Sequence, residues 1–190
     1  MKERGPYGKG IERREQILDA TLRTIAERGF HATSVAELAD AVGLSQSGLL
    51  HYFGSKEALF IAVLRRRSEL DIASLGPDPD PSTYATIIER NTKVPGLTEL
   101  FTHMQAAAAD HRHPAHEFMI EHYRRSSEVL TSMLQQLQDD GAISSSADTR
   151  ALATQVLAMT DGLQSRWLID PTIDMAAELE SFWQMLIRSA

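Results

Sequence analysis

The sequence predicts an all-helical protein, and three observations carry that prediction. With only 7 prolines and 11 glycines in 190 residues, long uninterrupted stretches remain at 11–28, 55–75, 97–113, 115–140, 142–161 and 172–190. Only six valines occur, whereas strands favour β-branched residues. Within the long stretches, apolar residues recur at the helical spacing of three and four. Hydrophobic residues make up 43% and charged residues 24% of the chain, proportions that exclude wholesale disorder and collagen-like classes. There is no cysteine, so disulfide frameworks and thiolate chemistry are excluded. No run approaches the roughly 18 apolar residues of a membrane span. The opening MKERGPYGKG lacks the apolar segment of a signal peptide, so a cytoplasmic location with no membrane partner is expected.

Residues 1–10, basic and glycine-rich, are expected to form a flexible arm, whose Lys2, Arg4 and Lys9 either add contacts to a polyanion or stay disordered. A first helix over 11–28 carries Leu18, Leu22 and Ile25 and stops at Gly29, suited to a left-handed cap. Ser34-Val35-Ala36-Glu37 has the capping-box form, in which serine hydroxyl and glutamate carboxylate satisfy backbone N–H groups reciprocally. The helix it opens buries Val35, Leu38, Ala39 and Val42. Gly43-Leu44-Ser45 turns the chain into a short helix over 46–53, with Ser45 as its N-cap. Ser55 caps a fourth helix bearing Leu59, Phe60, Val63, Leu64 and Leu70.

Gly76-Pro77-Asp78-Pro79-Asp80-Pro81 cannot be helical and marks a linker. Helices are expected beyond it at 82–92, 97–110, 114–140, 148–168 and 172–188. The long one carries a stripe of Met119, Tyr123, Ser127, Leu130, Leu134 and Leu137. The last two are apolar on two faces. Leu152, Val156, Met159 and Leu163 on the first, with Met175, Leu179, Phe182 and Leu186 on the second, are the expected face between two copies of the chain. A monomer with both helices central in its core is the alternative.

Two short helices joined by a tight glycine turn over 34–53 form a helix-turn-helix, an arrangement that docks its second helix against DNA, although a helical hairpin has the same outline. Its exposed positions, Gln46, Ser47, Gly48 and Tyr52, are small or hydrogen-bonding, while Leu49 and Phe53 anchor it inside. The net charge of -7 stands against a polyanion partner until it is divided along the chain. Residues 1–67 hold 11 basic and 8 acidic side chains, net +3; the remainder holds 8 and 18, net -10. The acidic bulk therefore lies outside the motif.

At these residues the sequence resembles the N-terminal domain of the TetR family of transcriptional regulators. The match runs through Ile17-Leu18-Asp19-Ala20, Gly29 to Val35, Leu38-Ala39, Val42-Gly43-Leu44-Ser45 and Leu49 to Leu59. The resemblance implies an arm at 1–10, a three-helix DNA-binding domain at 11–71, and a ligand-binding and dimerisation bundle at 72–190. It also implies a homodimer on a partly palindromic double-stranded operator, with half-sites about 34–36 Å apart or a multiple of that. DNA contacts carried over are Gln46, Ser47, Gly48 and Tyr52 for bases, with Leu50 for a thymine methyl, Thr33, Ser34 and Lys56 for phosphates, and Ser45 at the start of the reading helix. Gly48 replaces a usual threonine and Leu50 a usual tyrosine, so an altered base preference is expected.

Asp161-Gly162-Leu163-Gln164 and Trp167 to Pro171 carry weaker family character. Met104, Met119, His122, Tyr123, Met133, Met159 and Trp167 are the pocket candidates for an effector of unknown identity, apolar or aromatic in kind; the same stripe also reads as ordinary core. Five of seven histidines, His103, His111, His113, His116 and His122, fall within twenty residues, which raises metal sensing with Asp110 or Glu117 as a further ligand, against a histidine-rich loop. No cofactor or resident metal is expected. The function expected is a ligand-released repressor; an activator, a metal sensor of the same fold and a helical-bundle enzyme are the alternatives. No nucleophile elbow, phosphate loop or HExxH supports the last of these.

Overall fold

In the computed structural model, residues 6–76 and 78–188 are described, with side chains from residue 10 to 187 apart from residue 77. Nine helices and no strand occur among them: α1 (Pro6–Arg28), α2 (Val35–Ala41), α3 (Gln46–Phe53), α4 (Lys56–Leu75), α5 (Pro81–Thr92), α6 (Pro95–Ala107), α7 (Ala115–Asp139), α8 (Thr149–Ile169) and α9 (Met175–Arg188). None of these is long and apolar enough to cross a membrane.

The local code works as read at several ends. Ser34 closes both halves of the capping box: its Oγ accepts from the Glu37 N–H at 3.2 Å, and its own N–H donates to Glu37 Oε2 at 2.8 Å. Ser45 accepts from Gly48 N–H, and Ser55 from Ala58 N–H. Asp80 caps α5, placing Pro81 in the first turn, where its missing N–H costs nothing. The expected arm differs more. Residues 1–5, with Lys2 and Arg4, lie outside the described residues, but 6–10 continue α1. Pro6 suits a helix start and nothing after it breaks the helix.

The chain divides into two units, Met1–Ser68 with Val94–His116, and Glu69–Lys93 with Glu117–Ala190. The expected boundary at Asp71 lies three residues past Ser68, within α4. Helix α4 runs through that point unbroken, and α6 belongs with the first unit. Gly96 explains it: a Cβ there would lie 2.1 Å from the Ile25 carbonyl oxygen and 2.6 Å from Gly29 Cα. Only a glycine lets the start of α6 meet the end of α1 backbone to backbone. The Glu99 carboxylate then accepts from the Phe30 N–H at 3.2 Å. Ile17, Ile25, Leu38, Leu49, Leu59, Val63 and Leu100, all at 0% exposure, fill the first core. Leu70, expected on the apolar face of α4, is instead exposed.

The second unit holds two packed clusters. One joins Leu130, Met133 and Leu134 of α7 to Ile143, Ala153, Val156 and Trp183. The other joins Ile87 and Ile88 of α5 to Leu163, Trp167, Met175 and Leu179. Tyr84 packs against both.

Candidate nucleic-acid interface and effector site

Helix α3 is fixed by one buried side chain, Leu49, while Gln46, Ser47 and His51 stand exposed. Gly48, Leu50, Tyr52 and Phe53 are half-buried around them. Ser45 sits exposed at the helix start, its Oγ 3.1 Å from that of Ser47. A Cβ on Gly48 would come within 3.1 Å of the Ser45 Oγ. Glycine therefore leaves the cap uncrowded, which gives the departure from threonine a local reason. His51, four residues after Ser47 and so on the same face, was passed over in the sequence although its spacing places it there.

Thr33 requires a correction. It is 6% exposed, and its Oγ1 donates to the Gly29 carbonyl at 2.7 Å. The hydroxyl expected to hold a phosphate instead staples the turn after α1, because a loop hydroxyl beside an unsatisfied helix-end carbonyl is drawn to it. Ser34 is exposed, but its hydroxyl hydrogen is directed to Glu37 Oε2 at 2.8 Å. The backbone and side-chain hydrogen bonds from Ser34 hold the Glu37 carboxyl below its ordinary range, with nearby Arg28 adding to them. Lys56 is exposed in the first turn of α4, its Nζ 5.4 Å from the Phe60 ring centroid. A cation at a helix N-terminus opposes the macrodipole, and an arriving anion would relieve that conflict.

The expected pocket residues fall in both units and in both clusters of the second. Met104 is buried in the first unit, and Met119 and Met133 are buried in the second. Met133 belongs to one cluster of the second unit, while Met159 and Trp167 belong to the other. Helical spacing placed these side chains on inward stripes but could not say which stripes meet. More informative are the polar groups of the second unit, of which Tyr123 was expected and Tyr84, Thr160, Asp161 and Gln164 were not. Tyr123 donates to Asp161 Oδ2 at 2.6 Å. Tyr84 OH lies 3.1 Å from Thr160 Oγ1. Thr160 directs its single hydrogen to the Val156 carbonyl, so Tyr84 is the donor of that pair. Burial of its hydroxyl pushes Tyr84 up to about 12, and the Asp161 charge adds to the rise. Gln164 is buried one turn beyond Thr160, and burial pushes His122 below its usual value. Polar residues at 160 and 164 on a core stripe were the available signal.

Four residues of the expected contact between copies are consumed within the chain itself. Val156, Met175 and Leu179 are at 0% exposure and Leu163 is buried, while Leu152, Met159, Phe182 and Leu186 are partly covered. Ala158, Gly162 and Ile169 of α8 are exposed, as are Ala177, Ser181 and Met185 of α9; Ile169 is 86% and Met185 60% exposed. Two histidines of the cluster bond within their own loop and helix start. His116 Nδ1–H donates to the Ala108 carbonyl, His113 Nδ1 accepts from Ala115 N–H, and Asp110 pairs with Arg112. No group of three metal-ligating side chains forms among the described residues.

Residues 17–63 match the family model described as bacterial regulatory proteins, tetR family, and residues 98–186 match the C-terminal domain of the BetI-type transcriptional repressor. The chain belongs to the TetR family of transcriptional regulators. The family consists of regulators rather than enzymes, which sets the catalytic alternative aside. Over 76 residues this TetR-family chain is 44% identical to the HTH-type transcriptional regulator RutR of Escherichia coli strain K12, covering 40% of the chain and 36% of RutR. The match thus spans little more than a third of that relative. The regulator PksA of Bacillus subtilis is 28% identical over 169 residues, 84% of this chain and 80% of PksA. A transcriptional regulator from Saccharomonospora viridis, solved in complex with choline, superposes with a TM-score of 0.70 at 22% identity, covering 93% of this chain and 96% of that one. That likeness shows the shared TetR fold.

Proposed function

We propose that the chain is a repressor that binds a partly palindromic operator as a homodimer and releases it when a small effector binds within residues 72–190. The observation that carries the DNA reading is the recognition helix. Leu49 alone is sunk into the core, and a hydrogen-bonding face of Gln46, Ser47 and His51 is left to solvent beside the exposed Lys56. Such groups suit base edges in the major groove, and the lysine suits a phosphate. The C-terminal match to a repressor family supports the direction of regulation. Large apolar side chains exposed on the last two helices, Ile169 of α8 at 86% and Met185 of α9 at 60%, support the homodimer.

The effector is inferred to be small, with an apolar body and one polar or cationic group. Tyr84, Tyr123, Thr160, Asp161 and Gln164 bring hydroxyls, an amide and a carboxylate among apolar clusters of the second unit, and the neighbour holding choline shares the fold. Repression then follows from a coupled equilibrium. An effector that favours the arrangement unable to bind DNA weakens DNA binding, and DNA weakens effector binding by the same factor.

Two substitutions test the DNA reading. Gln46→Ala should cost about 1–3 kcal/mol at one base pair and relax preference there. Lys56→Ala should weaken all duplexes alike and flatten the salt dependence by about one unit. Binding titrations over a set of single-base operator variants separate the two. Unchanged base preference in Gln46→Ala would mean that the assigned register of α3 is wrong.

A further inference from the structure

Two adjacent arginines of α1 reach the turn before α3 and the last residue of α3. Arg13 donates from Nη2 to the carbonyl of Val42 at 2.5 Å and from Nη1 to Gln16 Oε1 at 3.2 Å. Val42 is the residue that ends α2 and opens the turn into α3. Arg14 places its guanidinium carbon 4.7 Å from the ring centroid of Phe53, the last residue of α3. Consecutive residues on a helix diverge by about 100°, so the pair spreads to both targets from one point on α1. Both arginines are half-buried.

The contacts suit their places. The last carbonyls of a helix lack intrahelical partners and carry the negative end of its dipole. Helix α2 has no basic residue in its own last turn, and Arg13 brings one from another helix. The flat guanidinium of Arg14 can stack on an aromatic face as well as pair with it electrostatically. Leu49 anchors α3 near its middle, but an eight-residue helix held by one buried side chain retains freedom to tilt. The Arg14 contact restrains its far end, and the Arg13 contact restrains the turn before its near end.

We infer that Arg13 and Arg14 are positioning residues that set the angle of α3 against α1, and through it the sequence selectivity of DNA binding, rather than phosphate contacts. The inference rests on the proposal that α3 reads base edges.

Its test uses the full chain, a duplex that the chain itself selects from a random pool, and a scrambled duplex of equal length, each titrated over a salt series. Arg13→Gln and Arg14→Leu should each lower affinity for the selected duplex about tenfold, the scale of one lost base contact. Affinity for the scrambled duplex and the salt slope should not change. Arg13→Lys, which retains one donor for Val42, should recover part of the selectivity, as should Arg14→Lys, which keeps a cation over Phe53. These lysine variants also serve if the other substitutions unfold the motif, a condition detected by thermal denaturation. Equal weakening on both duplexes, with the salt slope flattened by about one unit, would identify phosphate contacts and overturn the inference; selectivity unchanged in all four variants would overturn it too. A wild-type chain that enriches no duplex would instead sink the DNA reading itself, a result distinguishable from both.

Discussion

Gly96→Ala is expected to destabilise the protein by about 3 kcal/mol, the upper end of what overpacking costs. The new methyl would stand 2.1 Å from the Ile25 carbonyl oxygen and 2.6 Å from Gly29 Cα. Both are backbone atoms, so no side chain can turn aside. The helices α1 and α6 must separate instead. A gap of about 0.5–1 Å already forfeits a quarter to a half of each dispersion contact along the seam. Ile25, Leu97, Leu100 and Met104, all nearly fully buried there, would loosen together. The midpoint of thermal unfolding should fall by roughly 6–12 °C. Gly10→Ala is the control: that glycine lies within α1, and a Cβ there meets nothing within 4 Å. It should stabilise by up to about 1 kcal/mol. If the two variants melted alike, the close α1–α6 approach would be wrong.

Leu49→Ala should cost about 3 kcal/mol, within the range for a fully buried leucine, and it should abolish sequence-specific DNA binding. Leu49 has no exposed surface and is the one buried residue of α3. Eight residues are far too few for a helix to persist alone in water. Truncating the anchor therefore frees the face proposed to read bases while leaving Gln46, Ser47 and His51 chemically intact. Leu50, which is half-buried, supplies the comparison, and its alanine variant should lose less stability. Hydrogen exchange over residues 46–53, read beside binding to the selected duplex, distinguishes loss of the platform from loss of a contact. A Leu49→Ala chain that kept both protection and selectivity would contradict the assignment of α3 as the reading helix.

The helix-turn-helix was legible because its ends are written in local chemistry. Ser34 with Glu37 and Ser45 ahead of Gly48 name the starts of α2 and α3, and the structure places both caps there. What failed was tertiary. Thr33 looks the same in sequence whether its hydroxyl faces solvent or the Gly29 carbonyl. Gly96 reads as a break before a helix, and only the approach of α1 gives it another meaning. On α8 and α9 the period showed which residues share a face but not which face the chain covers itself. Val156, Met175 and Leu179 therefore looked available to a second copy when they are core. Asp161 and Thr160 were hidden for a related reason: they matter through partners 38 and 76 positions away in the chain. The charge asymmetry was legible from counting alone. The division at Arg67, net +3 before it and -10 after, falls one residue from the end of the first unit's opening segment at Ser68.

The most direct test of the central claim, that α3 of two copies reads DNA, is hydroxyl-radical footprinting of the full chain on the duplex it selects from a random pool. Two protected patches related by a partial palindrome should appear on one face of the duplex, centred about 34–36 Å apart or at a multiple of that spacing, and both should vanish with Leu49→Ala. A single patch without symmetry, or protection that persists in Leu49→Ala, would contradict it.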